Sequence, residues 1–174
     1  IVPLSGVTGE LVVTVAWDIS WYQYRITPDS GQPVRLAERG HDPRELGELL
    51  TTHRARTRLI CVDGVNSMTG NAPALAAFVH VTRANDALLY VDDAHGFGVI
   101  GERSDDELSP YGNRGNSIIR YTGETYDQVV LVSGLSKAYS SLAAFLTCPP
   151  ELKRLLKTAA PPYLYSGPSP VASL

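Results

Sequence analysis

Short apolar runs alternate along the chain with segments of helical spacing. Glu10–Trp17 (ELVVTVAW) is rich in β-branched residues and predicts a strand. The stretch from 18 to 35, with Pro28-Asp29-Ser30-Gly31 inside it, reads as turn-like and gives no clear element. Asp42-Pro43 offers a helix cap with proline in the first turn, and Leu46, Leu49 and Leu50 then share one face. Arg58–Val62 (RLICV) is a buried-strand run ending at Asp63, followed by the loop DGVNSMTGN. Pro73–Arg83 is helical in composition, and Ala87–Val91 (ALLYV) is again a strand run, closing on Asp92 and Asp93. Gln128–Ser133, the apolar run Leu142–Cys148 and a helix signal over Pro149–Lys157 continue the alternation. Strand, loop, helix, strand is a βαβ unit, so the predicted class is α/β with a mainly parallel sheet.

The polar stretch from Glu102 to Asp127, rich in Gly, Asn and Asp, is longer than an ordinary connection and reads as a surface excursion or a functional flap. The 174 residues, 44% hydrophobic and 19% charged, suffice for one domain with a core. Fifteen Lys and Arg against eighteen Asp and Glu leave a net charge of −3, which offers no basic field and speaks against nucleic acid or anionic lipid as partner. No apolar run approaches the ~20 residues that span a bilayer, so no membrane partner is expected. Cys61 and Cys148 lie far apart, each at an apolar run, and read as buried free thiols of a reducing, cytoplasmic compartment. Met68 is the only methionine and the chain opens at Ile1, so it reads as an excerpt or a processed chain.

Ligands of open parallel sheets gather beyond the carboxyl ends of the strands. Those ends carry Asp63, then Asp92, Asp93 and His95, then Ser133, Ser136 and Lys137. Lys137 stands in SGLSKAYSS, where a partly desolvated amine would attack a carbonyl; the plainer alternative is a snorkelling surface lysine. In VDDAHGFGVIG (Val91–Gly101) an acid, a histidine three residues on and three glycines suit a loop packed on a flat ligand, or else a glycine-rich turn in which His95 is a satisfied polar residue. Adjacent strand residues face opposite ways, so Asp93 is expected to point away from whatever Asp92 meets.

Two rivals start from the same residues. Gly134-Leu135-Ser136-Lys137-Ala138 looks like a hydrolase nucleophile elbow, but His41, His53, His80 and His95 all precede the serine, the wrong order for that fold. Asp92, Asp93 and His95 could serve a divalent ion, yet consecutive strand-end acids rarely aim at one ion.

Taken together, VDDAHGFGVIG followed by SGLSKA resembles the fold-type I pyridoxal-phosphate enzymes, most closely the α-oxoamine synthase and class II aminotransferase group. DGVNSMTGNAPAL and PPYLYSGPSP are similar to further segments of that group, and the match is poor before about Leu36. The resemblance implies the large domain of that fold, a three-layer αβα sandwich, over residues 1–174, with the N-terminal phosphate loop and the C-terminal small domain lying outside them. It implies that Lys137 holds pyridoxal 5'-phosphate as a Schiff base and carries the α-proton of the substrate. Asp92 would pair with the ring nitrogen, with His95 and Asp63 near the ring hydroxyl. Ser136, and Ser133 as a further donor, would bind the phosphate, to which the partner subunit of a homodimer would add Ser166. The ring-stacking residue would be sought at Trp17-Asp18-Ile19-Ser20.

The sequence departs from the group in three places: Gly134 stands where Thr or Ser is usual, Ser140, Ser141 and Leu142 replace glycines after the lysine, and the 45-residue step from Asp92 to Lys137 is long. The polar stretch of residues 102–127 accounts for the excess and reads as an insertion at the rim of the site. The activity implied is a decarboxylative condensation of an amino acid with an acyl-CoA. Aminotransfer is the alternative on the same cofactor, and an isolated chain of this extent would be a catalytically incomplete cofactor-binding fragment.

Overall fold

The computed structural model describes residues 11–17, 20–26, 33–40, 42–52 and 57–173. Seven strands form one sheet in the order β3-β2-β1-β4-β5-β6-β7. These are β1 (Leu11–Trp17), β2 (Ser20–Ile26), β3 (Pro33–Gly40), β4 (Thr57–Asp63), β5 (Leu88–Asp92), β6 (Val129–Gly134) and β7 (Ala144–Thr147). The centre, β1-β4-β5-β6, is parallel as expected. Both margins are antiparallel: β1-β2-β3 on one side and β6-β7 on the other. The sheet is therefore mixed and the α/β class holds.

The stretch that gave no element from sequence supplies β2 and β3, a correction to the turn-like reading of residues 18 to 35. Trp21, Tyr22, Tyr24 and Ile26 are strand formers, but Pro28 to Gly31 masked the pairing by resembling a break rather than the link between two paired strands.

Three helices lie on one face of the sheet: α1 (Pro43–Thr52), α2 (Leu75–Ala84) and the single turn α3 (Ile118–Tyr121). The cap at Asp42 forms as predicted, its Oδ1 accepting from the Arg44 backbone N–H at 2.8 Å. Leu46 and Leu50 of α1, Leu75, Phe78 and Val79 of α2 and Ile118 and Ile119 of α3 join Ile60, Val62, Leu89, Val91 and Leu131 in a single core. Fully burying each such side chain contributes about 1.5–3 kcal/mol, enough to fix these helices without good caps on every end.

Strand alternation leaves the opposite face different. Leu59, Cys61, Leu88, Tyr90 and Val132 are only half-buried. Helices α4 (Pro150–Ala159) and α5 (Pro161–Tyr165) bury no side chain. Of the expected three layers, the described residues thus form the sheet and one helical layer. Both cysteines are free but half-buried rather than buried, and burial pushes the Cys61 thiol up to about 11. Among the described residues no helix is long and apolar enough to cross a membrane.

Candidate functional site at the strand ends

The pairing register sets the ends of three strands level: Asp63 of β4 lies beside Asp92 of β5, and Asp92 beside Val132 of β6. Val62 and Val91 are buried under the helices, so by alternation Asp63 and Asp92 emerge together on the open face, and both are exposed. The Asp92 carboxylate accepts from the Ala94 backbone N–H at 3.1 Å, which turns the chain into the glycine-rich loop. His95 follows, partly buried.

That loop packs against the lysine turn. Gly98, at φ +86°, approaches so closely that a Cβ there would lie 2.8 Å from Ala138 Cβ and 2.7 Å from the Tyr139 ring. Phe97 continues the contact, 6.0 Å between ring centroids to Tyr139 and 4.8 Å, edge to face, to Phe145 of β7. The two motifs of the resemblance, distant in sequence, are therefore neighbours in space. Ser136 and Lys137 are exposed at this junction. A Cβ on Gly134 would lie 3.7 Å from Ser136 Oγ, so the Ser136 hydroxyl stands beside the position where the resemblance expects Thr or Ser.

Ser133 departs from expectation. It continues the buried register of Leu131, is 0% exposed, and turns its hydroxyl toward the carbonyls of Asp93 and Gly134, each at 3.4 Å. A hydroxyl on the helix-covered face does not reach the open rim, so Ser133 is structural here. Ser166 caps the end of α5, exposed, with its N–H donating to the Pro162 carbonyl at 3.2 Å. Among the described residues no hydrogen bond joins it to the rim. The proposed stacking residue near Trp17-Asp18-Ile19-Ser20 falls outside the described side chains.

Asp93 does point away from Asp92, and its role there carries no signal in the sequence. It is fully buried, and its Oδ2 accepts from the Ile118 backbone N–H at 3.0 Å. Among the described residues no donor reaches Oδ1. That oxygen fits between Gly64 and Gly96, where a Cβ on either residue would overlap it. Each glycine thus turns a Cα–H toward the oxygen, a weak but real partner for a buried acceptor. Burial pushes the Asp93 carboxyl up to about 6; the Ile118 hydrogen bond opposes this and the neighbouring Asp92 charge reinforces it.

The polar stretch of residues 102–127 is tied to the same place rather than free. Gly98 N–H donates to Gly115 O at 2.7 Å, Gly101 N–H to Tyr111 O at 2.9 Å and Ser117 N–H to Ile100 O at 3.2 Å. Glu102 N–H donates to Asn116 Oδ1 at 2.7 Å. Tyr111 and Tyr121 from this stretch join Val65, Val99, Ile100 and His95 around a cavity of about 270 Å³. Among the described residues no group of three or more potential metal ligands assembles.

A sheet with a parallel centre, an acid pair at its carboxyl edge and a glycine loop packed on the turn that carries Lys137 is the strand-end arrangement in which α/β domains hold ligands. The sequence model of the family described as aminotransferase class I and II matches residues 16–174, and the chain belongs to that family. It is 37% identical over 133 residues to the 8-amino-7-oxononanoate synthase of Pseudomonas aeruginosa, covering 76% of this chain and 30% of that enzyme. It is 32% identical over 135 residues to the enzyme of the same name from Methylobacillus flagellatus, covering 76% and 31%. In fold it is similar to the serine palmitoyltransferase of Sphingomonas wittichii, with a TM-score of 0.64 at 24% identity over 76% of this chain and 31% of that one. A further similar structure, of SPT with PLP, has a TM-score of 0.63 at 21% identity. The chain spans about a third of the length of the curated relatives it matches.

Proposed function

We propose that this chain is the cofactor-binding sheet of a pyridoxal-phosphate-dependent acyltransferase of the α-oxoamine synthase kind, which condenses an amino acid with an acyl-CoA and releases carbon dioxide. The observation that carries the reading is the packing of the loop that follows Asp92 and His95 on the Lys137 turn through Phe97 and Gly98. The donor set at that junction suits the cofactor: a primary amine for an aldehyde, a carboxylate for a pyridine nitrogen, and an imidazole and hydroxyls for the remaining oxygens.

Pyridoxal phosphate, when bound, supplies a carbonyl for the substrate amine and a protonated ring that draws electrons from the substrate α-carbon. Lys137 would hold the aldehyde carbon through its Nζ and, once released, carry the α-proton. Asp92 would keep the proton on the ring nitrogen, which requires its carboxylate to be charged. His95 would donate to the ring hydroxyl, with Asp63, level with Asp92, beside it. Ser136 would donate to the phosphate at the place Gly134 leaves open. Ser166 would reach the phosphate from the partner subunit of a homodimer, and the protein would work in the cytoplasm.

The names of the similar enzymes favour condensation over aminotransfer. The test is the absorbance spectrum of the full-length protein with pyridoxal phosphate. Wild type is expected to show a visible band that Lys137→Ala abolishes; a band that survives the substitution removes Lys137 from its role. Turnover with glycine, alanine or serine plus an acyl-CoA, against turnover with a keto acid, then separates synthase from aminotransferase.

A further inference from the structure

Burying a carboxylate without a counter-ion is costly, and an apolar side chain of similar volume would fill the space under β5 without that cost. Asp93 is nonetheless fully buried with one oxygen lacking any N–H or O–H donor among the described residues. What it touches suggests why. Oδ1 abuts Gly64, the residue after Asp63, and Gly96, the residue after His95, while Oδ2 takes the N–H that opens α3. The surroundings are interlocked further: a Cβ on Gly64 would lie 3.0 Å from Ile118 Cγ2, and one on Gly96 3.1 Å from Val65 Cγ2. The backbone repeats the linkage. Gly64 N–H donates to Asp92 O at 2.7 Å, and the N–H groups of Gly96 and Phe97 donate to Asp93 O at 3.1 and 2.8 Å.

We propose that Asp93 is a positioning residue: one buried carboxylate locks the segments that carry Asp63 and His95 to each other and to α3, so that both side chains hold their places at the rim. The inference rests on the reading of that rim as the cofactor site. Asp93 itself stays on the far side of the strand from the ligand, and its effect passes through the two glycines. Gly64 and Gly96 are accordingly part of the device, because any side chain there would displace the oxygen.

The experiment uses the full-length protein loaded with pyridoxal phosphate and compares wild type, Asp93→Ala, Asp93→Asn, Gly96→Ala and Lys137→Ala. The readouts are cofactor affinity by absorbance titration and the pH titration of the visible band, which senses the groups around the ring. Asp93→Ala is expected to weaken cofactor binding by about tenfold, the scale on which losing the group that orients a ligating residue is felt, and to shift the titration of the band. Gly96→Ala, with Asp93 still present but displaced, is expected to shift it in the same direction and carries the test if Asp93→Ala does not fold. Asp93→Asn, which keeps an acceptor for Ile118 N–H, is expected to lie nearer wild type. A band lost in Lys137→Ala but unchanged in affinity and titration in Asp93→Ala and Gly96→Ala overturns this inference alone. A band that survives Lys137→Ala overturns the reading of the rim, and this inference with it.

Discussion

The two halves of the candidate site are held in opposite ways. The loop from Asp93 to Gly101 is anchored from beneath: Asp93 and Ile100 are buried, its backbone N–H groups close on Asp93 and Gly96, and residues 111–118 bind it from the side. The lysine turn is hydrogen-bonded mainly at its ends. Leu135 N–H donates to Ala143 O at 2.8 Å and Ser141 N–H to Leu135 O at 3.0 Å, while Ser136, Lys137, Ala138 and Tyr139 are exposed and Leu142 is 80% exposed. His95, proposed to meet the cofactor ring, thus sits on a fixed platform, and Lys137, proposed to exchange bonds and move a proton, sits on a strip with few hydrogen-bonded anchors. That division suits a site in which one partner stays still while the other acts.

The largest expected effect tests whether the platform depends on its buried acid. Burial pushes the Asp93 carboxyl up to about 6 in the folded chain, against 3.8 when exposed. Between those values the folded chain keeps a proton that the unfolded chain has released, so folding takes up a proton. The contribution of Asp93 to stability is then fully present below about pH 4 and is lost as pH rises to about 6, by a total on the order of 3 kcal/mol. Urea unfolding across this window should show that slope in wild type and lose it in Asp93→Asn. An unchanged slope in the variant would show that the platform does not rest on this carboxylate. Next in size, Gly96→Ala forces a methyl group against Asp93 Oδ1 and should destabilise by about 2 kcal/mol in the same assay. A neutral Gly96→Ala would mean that the loop has room to shift, and the contrast between the halves would weaken.

How far the sequence announced this arrangement follows from the same contrast. The strand ends were legible because the runs RLICV, ALLYV and QVVLV each stop abruptly at polar residues, and the class of fold with its parallel centre came with them. β2 and β3 were not, because antiparallel pairing across Pro28 to Gly31 depends on partners that no local pattern names. The alternation rule placed Asp93 away from Asp92, but nothing in VDDAHG says that the second acid meets glycines from two loops and the start of α3. Such contacts join Gly64, Asp93 and Ile118 across residues far apart in sequence. Ser133 differs for the reverse reason: the resemblance implies a phosphate donor at the start of SGLSKA, while the register of β6 assigns this residue to the buried face.

For the lysine turn, the sharpest probe is Ser141. Its hydroxyl donates to Ser173 O at 2.8 Å and accepts from Ala143 N–H at 3.3 Å, tying the end of the turn to the C-terminal segment. Ser141→Ala should cost about 1 kcal/mol in urea unfolding, the ordinary net value of such a bond. A cost near that of Gly96→Ala would show that the lysine turn is anchored as firmly as the platform.

The smallest effect separates two explanations of the platform's fixity. Residues 102–121 reach it through buried contacts, Ile118 and Ile119, and are braced among themselves by surface ion pairs, Arg114 to Glu102 at 2.7 Å and Arg120 to Glu102 at 3.3 Å. The Arg114 side chain is 56% exposed, and a pair so open to water and salt contributes little, because solvent already satisfies both charges. Glu102 also keeps Arg120 when Arg114 is lost, and its carboxyl stays below the usual range chiefly through that Arg120 hydrogen bond. Arg114→Ala should therefore change stability by less than about 0.5 kcal/mol, and raising the salt concentration should erase even that. A loss comparable to that of Gly96→Ala, persisting in high salt, would place the anchoring of the platform in its surface charges rather than in the buried acid, the two glycines and the isoleucines beneath them.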